Sequence, residues 1–383
     1  MIAYRELRFL SMFAKPIQRI TNLFKNPRLG WVGLDISRNA IHMAQVEKLG
    51  NQYTLDARWT AFPSAASHSA IVNGDSPGEP GPQRAMQSMI EQAEKARSLF
   101  SLSATAFTIG DEAIDYREFD VKAKDSEGLD QAVESELEKD SSFDFEANLV
   151  KAWELPVTRR TTENRRSAAV VSADYAFTIW LGEMVTRAGY TPEVLDAIPC
   201  ALARSAEMVV AVPEQSCLMV HLGDACTTLT QAQQGLPVVT RVLSHHGFEN
   251  VLLPLGREFA LSPTEVYLLI LKASQASQDI HHPSSELLEI VSEYQVRFVH
   301  SLAAEIYRTL EYLRAEQYGD DPTEILVCGS GSVMPKVCEQ LEQLVELPTQ
   351  RWTIPSSHES SPGLPASLYT VAAGLSAIAW ERS

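Results

Sequence analysis

The chain has 383 residues, enough for two or three cores, since single cores stop growing near roughly 250 to 300 residues. Its 45% hydrophobic and 21% charged residues are those of a globular protein, and a net charge of -17 argues against a nucleic-acid binder, which needs basic surface to displace counterions. The five cysteines, Cys200, Cys217, Cys226, Cys328 and Cys338, hold no Cys-x-x-Cys pair that would suggest a zinc site, and no run approaches the roughly 18 to 20 apolar residues of a membrane span, so the expected location is the cytoplasm.

Residues 1-28 stand apart from this acidic background. Arg5, Arg8, Lys15, Arg19, Lys25 and Arg28 face only Glu6, while Leu10, Phe13, Ile17, Ile20 and Phe24 recur at three- and four-residue spacing. The open readings are a basic amphipathic extension lying on an anionic membrane surface at the cytoplasmic face of the inner membrane, a helix docked on the body, and a frayed leader interrupted by Pro16.

Trp31 to Ile36 reads as a strand ending at the turn Ser37-Arg38-Asn39, with Ile41 to Val46 as its hairpin partner and a third strand near Tyr53 to Ala61. The Ser-, Gly- and Pro-rich stretch 63-82 is a loop, Met86 to Phe100 a helix, and Ala104 to Ile109 a strand. The same order recurs downstream. Cys217 to Leu222 is a strand, Gly223-Asp224-Ala225 a turn, Thr227 to Ala232 its partner, and Leu236 to Leu243 a third strand before helices begin near Phe248.

Between the repeats, 118-201 reads as an inserted lobe. A helix carries Leu129, Val133 and Leu137, strands follow at Ala147 to Trp153 and Ala168 to Ser172, and a helix runs from Tyr175 to Ala188. The tip residues Arg159, Arg160, Arg165 and Arg166 read as a solvated hairpin end. Further on, Glu286 to Tyr318 is a long helix and Glu324 to Cys328 a buried strand. The loop Gly329-Ser330-Gly331-Ser332 precedes a helix that Pro335 could begin, and Ser367 to Trp380 is a closing helix with the small residues Ala372, Ala373 and Gly374.

Tight turns after apolar strands expose successive backbone N-H groups, which bind phosphate oxygens, and Ser37, Thr227 and Thr228 can add hydroxyl donors. Asp35 is the acid placed to hold Mg2+; its alternative is a turn aspartate that bonds its own backbone. Gly329 to Ser332 would let backbone approach a nucleoside closely. The histidine pairs His245-His246 and His281-His282 carry no metal site, because adjacent side chains rarely face the same way and no ligand set completes them.

The order of turn with Asp, inserted lobe, turn with Gly and Thr, Gly-rich loop and small-residue helix resembles the actin-like ATPase superfamily. Within it the chain resembles the PilM family of type IV pilus assembly. The resemblance rests on Gly33-Leu34-Asp35-Ile36-Ser37, on Leu222-Gly223-Asp224-Ala225-Cys226-Thr227-Thr228, on Ile325-Leu326-Val327-Cys328-Gly329-Ser330-Gly331-Ser332, and on Ala372-Ala373-Gly374-Leu375. It implies an α/β fold of duplicated actin-like, ribonuclease H-like lobes around a cleft, with a small inserted α+β subdomain. The divisions are 29-117 for the first lobe, 118-201 for the insert, and 202-383 for the second lobe with a closing helix that returns to the first.

The resemblance further implies a site for ATP and Mg2+ formed by Asp35, Ser37, Arg38, Asn39, His42, Gly223, Asp224, Thr227, Thr228 and Gly329 to Ser332, with Asp35 on the metal. It implies a partner as well, the cytoplasmic tail of a PilN-like membrane protein in a pilus assembly platform. Three departures bear on the nucleotide. The family's Asp opening the second turn is His221, its lysine after the first turn is His42, and its glycine pair after the third strand of the second half is His246-Gly247. Histidine replaces a hard oxygen ligand with a nitrogen that prefers softer metals, and a neutral imidazole gives a phosphate less charge than lysine; Asp224 is the acid available to substitute. No residue reads as a catalytic base. The favoured expectation is a scaffold with weak ATP turnover at most, beside a nucleotide-independent pseudo-ATPase adaptor and a small-molecule kinase of the same superfamily.

Overall fold

The computed structural model describes residues 28-63, 81-110, 113-122, 126-155, 165-212, 215-276, 284-316, 320-356 and 364-381. The expected amphipathic extension, the tip arginines Arg159 and Arg160, the pair His281-His282 and most of the 63-82 loop lie outside them.

The first half opens with β1 (Leu29–Ile36), β2 (Ile41–Leu49) and β3 (Gln52–Ala61), an antiparallel meander. After α1 (Gly81–Lys95), β4 (Ala104–Ile109) pairs parallel to β1. The chain then builds a separate unit from β5 (Ile114–Lys122), α2 (Ser126–Leu137), β6 (Asn148–Glu154) and β7 (Arg165–Asp174), with sheet order β5-β7-β6. Ile114 lies opposite Ala173, so this unit begins and ends on neighbouring strand positions. It has its own core, in which Leu129, Val133 and Leu137 of α2 meet Val121, Val150, Ala168 and Val170. Alternation explains the arrangement: one face of β7 points at the helix while Ala169, Val171 and Ala173 point the other way.

After β7 come α3 (Tyr175–Arg187) and β8 (Thr191–Leu195), and β8 pairs parallel to β4 to complete the sheet β3-β2-β1-β4-β8. Helix α3 likewise supplies Leu181, Met184 and Val185 to the core of this sheet. Sheet membership therefore differs from the sequence division at 118-201: β5 starts earlier, and α3 and β8 belong with the first sheet. The five residues of β8 include Pro192, which hides a parallel edge strand in sequence.

Following α4 (Ile198–Glu207), the second half repeats the plan. β9 (Cys217–Leu222), β10 (Thr227–Gln233) and β11 (Leu236–Leu243) form the meander, and α5 (Glu249–Phe259), α6 (Pro263–Ala276) and α7 (Ser284–Glu316, 33 residues) follow. Then β12 (Ile325–Cys328) pairs parallel to β9, α8 (Val337–Val345) returns the chain, and β13 (Thr349–Arg351) closes the sheet β11-β10-β9-β12-β13. Both sheets thus share one strand order and one set of strand directions.

The expected closing helix is broken into a 3-10 turn at Ala366–Tyr369, α9 (Thr370–Ser376) and α10 (Ile378–Glu381). Helix α9 packs on β1, β2 and β4 while α4 packs on β9, β10 and β11, and the two helices cross each other between the sheets. Small residues make the crossing possible. A Cβ at Gly374 would run into the carbonyl of Ala201, and one at Gly33 into that of Ala372. Trp352 Nε1 donates to Ser205 O at 2.8 Å, Ser205 Oγ donates to Thr370 O at 2.5 Å, and the buried Arg204 pairs with Asp196 and donates to Gly374 O at 3.2 Å. One apolar core accordingly runs from Val46 and Ala106 of the first sheet through α4 and α9 into the second half.

Candidate functional site: the cleft between the facing turns

Corresponding strands of the two sheets end at the same place, so the β1-β2 turn and the β9-β10 turn face one another. Asp35, Ser37, Gly110, Ile198, His221, Gly223, Asp224, Cys226 and Ser330 line the space between them, which is about 20 Å³, room for about one water molecule. Of the residues expected from sequence, Asp35, Ser37, Gly223, Asp224 and Ser330 meet here. Cys226 of the second-turn motif joins them, and Gly110 and Ile198 do so without any motif that would have marked them.

The turns close on each other. Asn39 N-H donates to Asp224 Oδ2 at 2.9 Å, and Thr264 Oγ1, at the start of α6, donates to Asn39 Oδ1 at 3.1 Å. Arg38 and Glu249 add a partly exposed ion pair at 3.7 Å, an arrangement that contributes little by itself. Thr264 is a site residue that sequence reasoning missed; a threonine one residue into a helix gives no signal at this distance along the chain.

Four of the amides offered for phosphate are engaged inside the protein. Ser37 N-H donates to Ala40 O at 3.0 Å, Gly223 N-H to His221 O at 3.1 Å, Gly329 N-H to Ser367 O at 2.9 Å and Ser332 N-H to Gly329 O at 3.0 Å. Carbonyls of the second turn are held in turn, with Phe248 N-H on Gly223 O and Glu249 N-H on Asp224 O, both at 2.9 Å. Gly247 permits that approach, since a Cβ there would strike the Asp224-Ala225 backbone. The glycine retained in His246-Gly247 is therefore the one the packing requires.

Gly329 to Ser332 differs from an open loop. Ser330–Val333 coils as a 3-10 turn, Ser332 Oγ lies 2.8 Å from Ser367 Oγ, and a Cβ at Gly331 would meet Leu222 at 2.8 Å. Gly329 has φ +82°, and a Cβ there would lie 2.7 Å from His221 Cδ2. The His221 ring is thus wedged between the Gly223 turn and Gly329. Burial pushes its pKa down to about 4, which keeps it neutral near pH 7, and its Nδ1 has no hydrogen-bond partner.

His42 is placed away from the lining. It is fully buried, its Nδ1 lies 3.0 Å from Thr60 Oγ1, and its ring meets Tyr369 edge-on at 5.6 Å. Burial first, and the nearby His221 second, lower its pKa to about 3, so it brings no positive charge to a phosphate. Thr227 Oγ1 donates to His246 O at 2.5 Å, and Thr228 is fully buried on β10 opposite His221. Neither hydroxyl lines the cleft.

Among the described residues no group of three or more His, Cys, Asp or Glu side chains is arranged to hold a metal ion, and no helix is long and apolar enough to cross a membrane. In this closed arrangement Asp224 is engaged by Asn39 and the amides of Ser37, Gly223, Gly329 and Ser332 have internal acceptors, so ATP with Mg2+ would have to displace these contacts.

No protein-family model matches the chain, and no curated protein matches it. Among solved structures, a chain of the PilM-PilN type IV pilus biogenesis complex is similar over 92% of this chain and 99% of its own length, with 20% identity and a TM-score of 0.66. The ethanolamine utilization protein EutJ from Carboxydothermus hydrogenoformans is similar over 92% and 90%, with 13% identity and a TM-score of 0.48. MreB5 of Spiroplasma citri, solved bound to ADP, is similar over 91% and 94%, with 12% identity and a TM-score of 0.44. The chain has the actin-like α/β fold, and it is similar in structure to PilM along nearly its whole length.

Proposed function

We propose that this protein is an actin-like scaffold of a type IV pilus or related secretion platform, acting at the cytoplasmic face of the inner membrane. The observation that carries a scaffold over an enzyme is the direct bonding of the two facing turns, Asn39 to Asp224 and Thr264, where turnover of a nucleotide would need open donors and a free acid. The support for a membrane-protein tail as partner is the likeness to a chain solved in a PilM-PilN complex. The proposed seat of that tail is the groove between the first sheet with its helices and the inserted unit of β5, α2, β6 and β7.

The test is titration of the full chain with a peptide from the N-terminal cytoplasmic tail of a co-encoded, single-span membrane protein. Saturable binding is expected, together with co-purification of the intact partner; absence of both defeats the assembly role. A nucleotide-independent adaptor is the second reading, favoured by the same closed cleft, and peptide affinity that is unchanged by ATP and Mg2+ supports it over ATP modulation.

The extension 1-28 is proposed as a peripheral membrane contact, on the strength of its basic and apolar composition. Removing it should weaken sedimentation with anionic vesicles, and added salt should weaken sedimentation of the full chain. Equal sedimentation of the two proteins rejects the contact.

A further inference from the structure

The carboxylate that bridges the cleft sits on the kind of donor that would otherwise receive a phosphate oxygen. Asn39 N-H belongs to the first turn, Asp224 to the second, and their 2.9 Å bond joins residues 185 apart in sequence. Asp224 is 4% exposed and Asn39 likewise 4%, so the contact is dry, which strengthens a charge-assisted bond. The backbone on either side is fixed: Asp224 O accepts from Glu249 N-H, and Gly247 packs against the turn. The side chain of Asp224 is the part left to swing.

The closed arrangement is also incompletely satisfied. Asp224 Oδ1, Asn39 Nδ2 and His221 Nδ1 are buried without hydrogen-bond partners. Each such atom forfeits its hydration with nothing in return, which brings the closed state nearer in free energy to an open one.

We propose that Asp224 is an internal anion that latches the two lobes shut, and that an oligophosphate competes with it for the first turn. The Asn39 amide can hold the Asp224 carboxylate or a phosphate oxygen and not both, so anion binding and lobe closure through this contact exclude each other. Thr264 on Asn39 Oδ1 is the second catch of the latch, and the partly exposed Arg38-Glu249 pair is a minor third. The role assigned to Asp224 is opposite to that of a metal ligand: it opposes nucleotide binding instead of assisting it. The latch does not depend on the pilus reading, and peptide capture can fail or succeed without touching it.

The experiment titrates the full chain and the variants Asp224→Ala and Thr264→Val with ATP and with inorganic triphosphate, each with Mg2+, by calorimetry. Asp224→Ala is expected to bind triphosphate about 10-fold or more tightly than the unaltered chain, and Thr264→Val to rise in the same direction by a smaller factor. Small-angle scattering without ligand should show a larger radius of gyration for Asp224→Ala. Binding by the unaltered chain that Asp224→Ala abolishes overturns the latch and makes Asp224 a ligand-side acid. Equal affinities in all three folded proteins overturn it as well. Should Asp224→Ala fail to fold, Thr264→Val decides alone: a rise in triphosphate affinity upholds the latch, and an unchanged affinity removes it.

Discussion

His42 and His221 are both buried and neutral, and their protonation links acid to unfolding. With pKa values lowered to about 3 and about 4 in the folded chain against 6.5 when exposed, the unfolded chain binds more protons throughout the interval between. Their contribution to stability is whole above pH 6.5 and falls as pH drops toward 4, by up to about 1.4 kcal/mol per pH unit for each histidine. Denaturant melts between pH 7 and 4.5 should show this slope, and His42→Gln should reduce it; a slope unaffected by the substitution would refute the assignment. Asp35 and the turn Ser37-Arg38-Asn39 were legible from an acid and small polar residues after an apolar strand. The engagement of those groups was not, because Asn39, Asp224 and Thr264 are brought together by lobe closure and share no local pattern.

At the scale of elements, the crossing of α4 and α9 is where both halves depend on one contact. Helix α9 is only seven residues long, too short to persist alone, so it holds its shape by packing against β1 and α4. Gly374→Val should cost about 1–3 kcal/mol, since the added carbons meet the Ala201 carbonyl and the α4 backbone cannot retreat without moving the second sheet. Equilibrium unfolding followed through tryptophan fluorescence, with Trp352 donating to Ser205 of α4, reads the change. A midpoint equal to that of the unaltered chain would mean that the helices separate without cost. Sequence periodicity located the long meander strands and the 33-residue α7 to within a few residues. It passed over β13, with three residues, and β8, with five, because elements this short carry too few alternations to register, and it passed over the nine-residue β5, where Val121 is the one buried residue.

For the whole molecule, duplication was readable in sequence since each half repeats an apolar strand, a small polar turn and a partner strand. What sequence could not supply was the degree of closure, which is decided by a few bonds among many of equal strength. The insert shows a different consequence of the fold. Its first and last strands lie side by side, Ile114 opposite Ala173, and its core is its own. A unit whose two ends are adjacent is joined to its host like a cassette. Substitutions inside it can accumulate, and its exposed surface can change, with little disturbance to the crossing helices behind it, so the frame and the surface it displays are free to evolve at different rates.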